Sequence, residues 1–271
     1  MIKQAIIPLA GLGTRLLPLT SVLPKELLPI NGKPGLEYIL DECVHAGIKE
    51  VIFIISKNKL SIKKYFYNDV FFKKIIKKKN KDLRLKKEYS KIRKFKKMIK
   101  FVYQDSPKGT GDAVLKCERL IKSKYFLMLL PDDLIIKKNC SREMIKIHEK
   151  YKSSVIASKK VKSNEVSRWG IFKLKKINNK IFSVTDVIEK PDARTAPSNY
   201  AIIGRYILPK DIFNILKKQK VGHNDETHIT DAIKTLINKK KKFIGYIFGG
   251  KYLDCGTMKG YLKSTLAISR L

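Results

Sequence analysis

The chain has 271 residues, 44% of them hydrophobic, which is enough for one large core. No apolar run approaches the ~20 residues that span a bilayer, and the N-terminal MIKQAIIPLAG reads as a buried strand, not a signal peptide. The formal net charge of +35 is carried almost wholly by lysines spread along the whole chain among many Ile and Asn. This reads as compositional drift, not as the arginine-rich surface of a nucleic-acid reader.

In chain order, Ile2–Pro8 is a predicted strand that runs into the loop Leu-Ala-Gly-Leu-Gly-Thr-Arg. Gly11 and Gly13 let the backbone turn its N–H groups toward an anion, and Arg15 and Lys25 supply neutralising charge. The loop lacks the terminal Gly-Lys-Ser/Thr of a P-loop. It also lacks the third glycine of the dinucleotide fingerprint, since Leu16 stands there. Gly35–Ala46 is a predicted helix ending at Gly47, and Val51–Ile55 a wholly apolar strand of the kind buried in a parallel sheet. Residues 59–70 follow as a helix. The Lys-dense segment 73–97 reads as a solvated helical insertion with too few aromatics for base stacking.

A strand over Ile99–Tyr103, a helix over Gly111–Ile121 and a strand over Tyr125–Leu130 complete an alternation that predicts a doubly wound α/β sheet, mixed but mostly parallel. Ligands of such sheets bind beyond the carboxyl ends of the strands. The second half is richer in strands: Ser154–Lys160, Gly170–Lys175, Ile181–Ile188, Ala201–Leu208 and Phe243–Phe248. Helices are expected over Pro209–Lys218, over Ile229–Asn238 with Thr227 as N-cap, and over Lys259–Arg270.

Three groups of polar residues carry candidate chemistry. Asp132 and Asp133 end an apolar strand. Asp132, with Asp254 from Tyr-Leu-Asp-Cys-Gly, could hold Mg²⁺, which takes one or two carboxylates plus substrate phosphates. Asp133 reads as support for it or as a cap. Glu189 could accept hydrogen bonds from sugar hydroxyls, with Lys190 beside it for a phosphate. Gln104, five residues before Gly109, could read a base edge, because an amide offers both a donor and an acceptor. The four cysteines (Cys43, Cys117, Cys140, Cys255) have neither metal spacing nor a disulfide framework, and fit a reduced, cytoplasmic protein. The histidines His45, His148, His223 and His228 do not cluster, and no nucleophile constellation is visible.

These residues lie in stretches that together resemble the bacterial UTP–glucose-1-phosphate uridylyltransferases, which are sugar nucleotidyltransferases. The stretches are AGLGTRLLP, PKELLPI, LLPDDLI, RWGIF, VIEKP, PSNYAIIGRYIL, ETHITDAI and YLDCGTMKGYL, in the family's order and over nearly the full length. The resemblance implies one Rossmann-like nucleotidyltransferase domain, with a nucleotide-binding half over roughly 1–131 and a sugar-binding half over roughly 132–271. It implies Mg²⁺-dependent joining of UTP and glucose 1-phosphate to UDP-glucose and pyrophosphate, by a homo-oligomer (dimer or tetramer). Ala10, Gly11 and Gly13 would line the nucleotide, Arg15 and Lys25 would face its phosphates, and Glu26, Gln104 and Gly109 would surround uracil and ribose. Asp132 with Asp254 would hold Mg²⁺. Gly170, Glu189 and Ile203 would line the glucose, and Lys190 would take its phosphate. The chain departs from the family pattern at Thr110, Asp112 and Thr257, and most of all in segment 73–97. A thymidylyl or N-acetylglucosamine-1-phosphate uridylyl enzyme, and more remotely a basic nucleic-acid binder on an inactive fold, remain as alternative readings.

Overall fold

The structure is a computed structural model that describes residues 1–220, 222 and 225–270; His223 lies outside them. Its strands are β1 (Gln4–Pro8), β2 (Pro29–Ile30), β3 (Lys33–Pro34), β4 (Glu50–Ile55), β5 (Ile99–Tyr103), β6 (Tyr125–Leu129), β7 (Asp133–Ile136), β8 (Ser154–Lys160), β9 (Gly170–Lys176), β10 (Ile181–Glu189), β11 (Tyr200–Pro209), β12 (Phe243–Ile247) and β13 (Lys251–Asp254). Its α-helices are α1 (Gly35–His45), α2 (Leu60–Tyr67), α3 (Val70–Lys78), α4 (Leu83–Met98), α5 (Gly109–Leu115), α6 (Cys140–Tyr151), α7 (Ile212–Lys218), α8 (Ile229–Asn238) and α9 (Met258–Ser269).

Nine strands form one sheet in the order β5-β4-β1-β6-β11-β8-β12-β10-β9. From β5 to β6 every pairing is parallel, as the strand–helix alternation of the first half predicts. Beyond β6 antiparallel pairings dominate. β11 runs against both β6 and β8, and β9 and β10 form a hairpin whose turn leaves no room for a crossover helix.

Side-chain alternation separates two cores. Ala5, Ile7, Val51, Phe53, Leu127 and Leu129 pack on the face of the sheet that α1, α2 and α6 cover. Ile6, Ile52, Ile54, Phe126 and Met128 face α5, α7 and α8 on the other. Both faces of each central strand are buried, so these strands read as continuous apolar runs.

Several boundaries differ from the sequence reading. Pro209 ends β11 and does not open a helix; α7 starts at Ile212 behind Asp211. The N-cap of α8 is His228, not Thr227, whose backbone N–H and C=O instead bond Lys108 and Gly111. The helix expected over Gly111–Ile121 is a shorter α5, and the chain from Lys116 to Ile121 continues as turns. Segment 73–97 is helical as expected but not wholly solvated. Ile92 and Phe95 of α4 are buried, and Lys91 pairs with Glu37 (2.8 Å) and Asp41 (3.1 Å) on α1. All four cysteines are buried and free; burial pushes the Cys117 and Cys255 thiols up to about 12. Among the described residues no helix is long and apolar enough to cross a membrane.

Candidate active site

Two cavities open side by side beyond the carboxyl ends of β1, β5 and β6. The first, of about 350 Å³, is floored by Ala10, Gly11, Gly13, Gln104 and Gly109. The second, of about 520 Å³, is lined by Gly170, Glu189, Lys190, Ile202, Tyr206 and Thr230. Arg15 and Asp132 belong to both.

The loop after β1 reaches its shape through Gly13, whose φ of +72° an L side chain adopts only under strain. Its carbonyl accepts from Leu16 N–H (2.9 Å) and Thr20 Oγ1 (2.9 Å), which closes the turn bearing Arg15. Lys25, in the next turn, donates from Nζ to Asp132 Oδ2 at 2.6 Å. Burial opposes charge on both partners. The Asp132 and Glu26 carboxylates outweigh it and hold Lys25 above the ordinary lysine range, while Lys25 and Arg15 hold Asp132 below the ordinary carboxylate range. Asp132 is therefore an anion at neutral pH, as a metal ligand must be.

Asp133 points elsewhere. Its carboxylate accepts from Gly204 N–H (2.9 Å) and from Tyr252 Oη (2.5 Å). Burial and the adjacent Asp132 charge push it up to about 6. Asp254 ends β13 and pairs in register with Asp133 on β7. Its Oδ1 accepts from Gly256 N–H (2.8 Å), and Arg168 Nη2 lies 3.6 Å from its Oδ2. A Cβ built on Gly256 would sit 2.9 Å from Asp132 Oδ2 and 3.2 Å from Asp254 Oδ1. The two carboxylates thus flank one small space that a side chain there would fill. Two carboxylates facing a phosphate-sized cavity are a donor set suited to Mg²⁺, which keeps its other positions for water and substrate. Among the described residues no cluster of three or more acidic, His or Cys ligands offers a closed metal cage.

In the second cavity Glu189 Oε2 accepts from Thr230 Oγ1 at 2.8 Å. Lys190 adopts a φ of +46°, donates its N–H to Trp169 O (3.0 Å) and leaves Nζ 4.0 Å from Glu189 Oε1. A Cβ on Gly170 would meet Ile202 Cδ1 at 2.9 Å and Glu189 Oε2 at 3.1 Å, so the glycine keeps this wall thin.

Glu26 and Gln104 are buried, each held by a partner. Lys59 Nζ donates to both Glu26 oxygens (2.8 and 2.9 Å), and Gln104 Nε2 donates to Asp112 Oδ2 (2.6 Å). Gly109 has a φ of +93°, and a Cβ there would lie 2.6 Å from Thr227 O, so α5 starts pressed against the segment before α8.

One predicted residue is misplaced. Ile203 does not line the second cavity; it lies in the α1–α6 core on the opposite face, and its neighbour Ile202 does the lining. Adjacent strand residues point to opposite faces, so an error of one position exchanges cavity for core. Lys59, Thr230, Tyr206 and Arg168 also surround the site, and sequence reasoning assigned none of them. ETHIT in the matched stretch at 226–233 was the available signal for Thr230; Lys59 was one lysine among many.

The nucleotidyl transferase family model matches residues 4–270. UTP–glucose-1-phosphate uridylyltransferase 1 of Staphylococcus saprophyticus is 39% identical over 267 residues, covering 98% of this chain and 92% of that protein. The Bacillus subtilis UTP–glucose-1-phosphate uridylyltransferase is 37% identical over 268 residues, covering 98% and 90%. A crystal structure of UDP-glucose pyrophosphorylase complexed with UDP-glucose superposes with a TM-score of 0.87 at 37% identity, covering 100% of this chain and 99% of that one. The UTP-bound enzyme from Acinetobacter baumannii does so with a TM-score of 0.88 at 32% identity, covering 99% and 93%. The chain belongs to the nucleotidyl transferase family, and within it stands with the UTP–glucose-1-phosphate uridylyltransferases.

Proposed function

We propose that this protein joins UTP and glucose 1-phosphate to give UDP-glucose and pyrophosphate. The observation that carries the reading is the pair of adjoining cavities with Arg15 and Asp132 in their common wall. Each cavity takes one substrate, and the reacting phosphates meet at the wall. Relatives matched over 90–92% of their own length that carry this activity in their names support it.

The nucleophile is a phosphate oxygen of the sugar phosphate. With a second pKa near ~6 it is largely ionised at neutral pH and needs no general base. It attacks the α-phosphorus of UTP; the bond from that phosphorus to the bridging oxygen breaks, and the electron pair leaves with pyrophosphate. The barrier is repulsion between anions, so the protein contributes alignment and charge. Arg15 and Lys25 neutralise the triphosphate and the departing pyrophosphate. Lys190 holds the attacking phosphate, and Glu189 with Gly170 positions the sugar. Ala10, Gly11 and Gly13 let the nucleotide lie close to the backbone, while Glu26, Gln104 and Gly109 surround base and ribose. Asp132 and Asp254 would hold Mg²⁺, whose charge lowers the electrostatic cost of bringing the phosphates together. Bound substrate phosphate competes with Asp132 for Lys25, so the 2.6 Å ion pair holds the free site in readiness.

Pyrophosphate release, measured for each nucleoside triphosphate against several sugar 1-phosphates with and without Mg²⁺, tests the reading. UTP with glucose 1-phosphate and Mg²⁺ is the expected best combination, and Asp132→Asn is expected to abolish the metal-dependent rate. Equal turnover without metal, or an active Asp132→Asn protein, overturns it.

A further inference from the structure

Asp112 stands outside the lining of the nucleotide cavity, directly behind Gln104. Gln104 is 3% exposed, its N–H donates to Ile55 O (3.0 Å), and its side chain reaches the cavity. The 2.6 Å bond from Gln104 Nε2 to Asp112 Oδ2 has only one chemically allowed sense. A carboxylate offers lone pairs and no proton, so it can accept only the amide's NH₂ face. The flipped amide would set oxygen against oxygen. Lys116 Nζ, 3.7 Å from Asp112 Oδ1, occupies the other oxygen and leaves Oδ2 to Gln104.

Locking the nitrogen also locks the oxygen. Among the described residues nothing donates to Gln104 Oε1, and the atom is not sealed in the interior. The cavity therefore meets a fixed acceptor. A base with a ring N–H at that edge, as uracil has at N3, makes a hydrogen bond there. Cytosine has a lone pair at the same ring position and meets repulsion.

We infer that Asp112 is a positioning residue that sets nucleotide choice, by holding the Gln104 amide with its oxygen toward the base. The inference rests on the reading of the first cavity as the UTP site. Without Asp112 the amide is free to flip and can serve either base. The test is equilibrium binding of UTP and CTP, by titration calorimetry, to the full chain and its variants. Wild type is expected to prefer UTP. Asp112→Ala is expected to reduce the CTP/UTP Kd ratio at least ~10-fold, the scale of one buried hydrogen bond made or opposed. Asp112→Asn retains an acceptor oxygen and is expected to keep the ratio within about 3-fold. In a Gln104→Leu background Asp112→Ala is expected to change the ratio no further.

A role for Asp112 in stability alone would weaken both nucleotides equally and leave the ratio unmoved, which overturns the inference. So does an equal effect of Asp112→Ala with and without Gln104, or a wild type that does not discriminate. If wild type discriminates in binding but releases no pyrophosphate, the proposed reaction fails and the inference stands.

Discussion

The ion pair between Arg205 and Glu42 makes a demanding test. Arg205 on β11 has no exposed surface, and Glu42 on α1 is also buried. Arg205 Nη2 lies 2.8 Å from Glu42 Oε2, and Nε donates to both Glu42 oxygens at 3.1 Å. The guanidinium also donates to three carbonyls: Leu130 (3.2 Å), Gly204 (2.8 Å) and Asp133 (2.7 Å). Two of those carbonyls bracket Asp132. Arg205→Ala leaves Glu42 as a buried carboxylate with only Ser141 to solvate it, through the hydroxyl at 2.5 Å and the N–H at 3.1 Å. An uncompensated buried charge of this kind costs about 3–5 kcal/mol. At roughly 2–4 °C per kcal/mol for a large domain, the melting temperature should fall by roughly 6–20 °C. Calorimetry or urea unfolding of the ligand-free protein measures this. Removing both charges, in Glu42→Gln/Arg205→Met, should recover part of the loss, since charge burial and not volume is the cause. A loss under about 1 kcal/mol in Arg205→Ala, or a double variant less stable than the single, would refute the reasoning.

Other predictions concern the site directly. Lys190→Ala should lower kcat/KM at least ~100-fold, the scale for one preorganised charge contact, and near-normal turnover would remove Lys190 from its role. Gly170→Ala should raise the KM for the sugar phosphate by about 10-fold, with the KM for UTP unchanged, because the added methyl presses first on Ile202 and Glu189. The Asp133 carboxyl, pushed up to about 6 in the fold, loses its proton less readily there than in the unfolded chain, where it titrates near ~4. The unfolded state therefore gives up the proton first, and stability should fall as pH rises from about 4 to about 6. Asp133→Asn should flatten that slope in melting curves taken in metal-free buffer; an unchanged slope assigns it to another group.

The glycine loop, Pro131-Asp132-Asp133 and Glu189-Lys190 were legible because each joins a run of apolar strand residues to a residue type with one evident use. Local pattern could not supply register. Ile202 and Ile203 are chemically alike, and only the placement of β11 against β6 and β8, with its irregularity between Ile202 and Tyr206, decides which one faces the second cavity. Lys59 could not be singled out for a different reason. Its partner Glu26 is 33 residues away, and in so lysine-rich a chain nothing marks the one lysine that is buried among the described residues. The strands of the second half were legible one by one, but their antiparallel order was not, because pairing direction is set by long-range contacts such as β11 against β6 and β8.

The buried thiols have a practical consequence. Cys43, Cys117 and Cys140 lie wholly inside the two cores, whereas Cys255 is 9% exposed and sits between Asp254 and Gly256. With every thiol both protonated and shielded, alkylating reagents should spare the native protein. Each cysteine is then a built-in clock. The three interior ones label only when the sheet comes apart, while Cys255 also labels when the carboxylate end of the site breathes. The difference between the two rates, followed by peptide mass, would separate local opening from global unfolding without adding a probe to the chain.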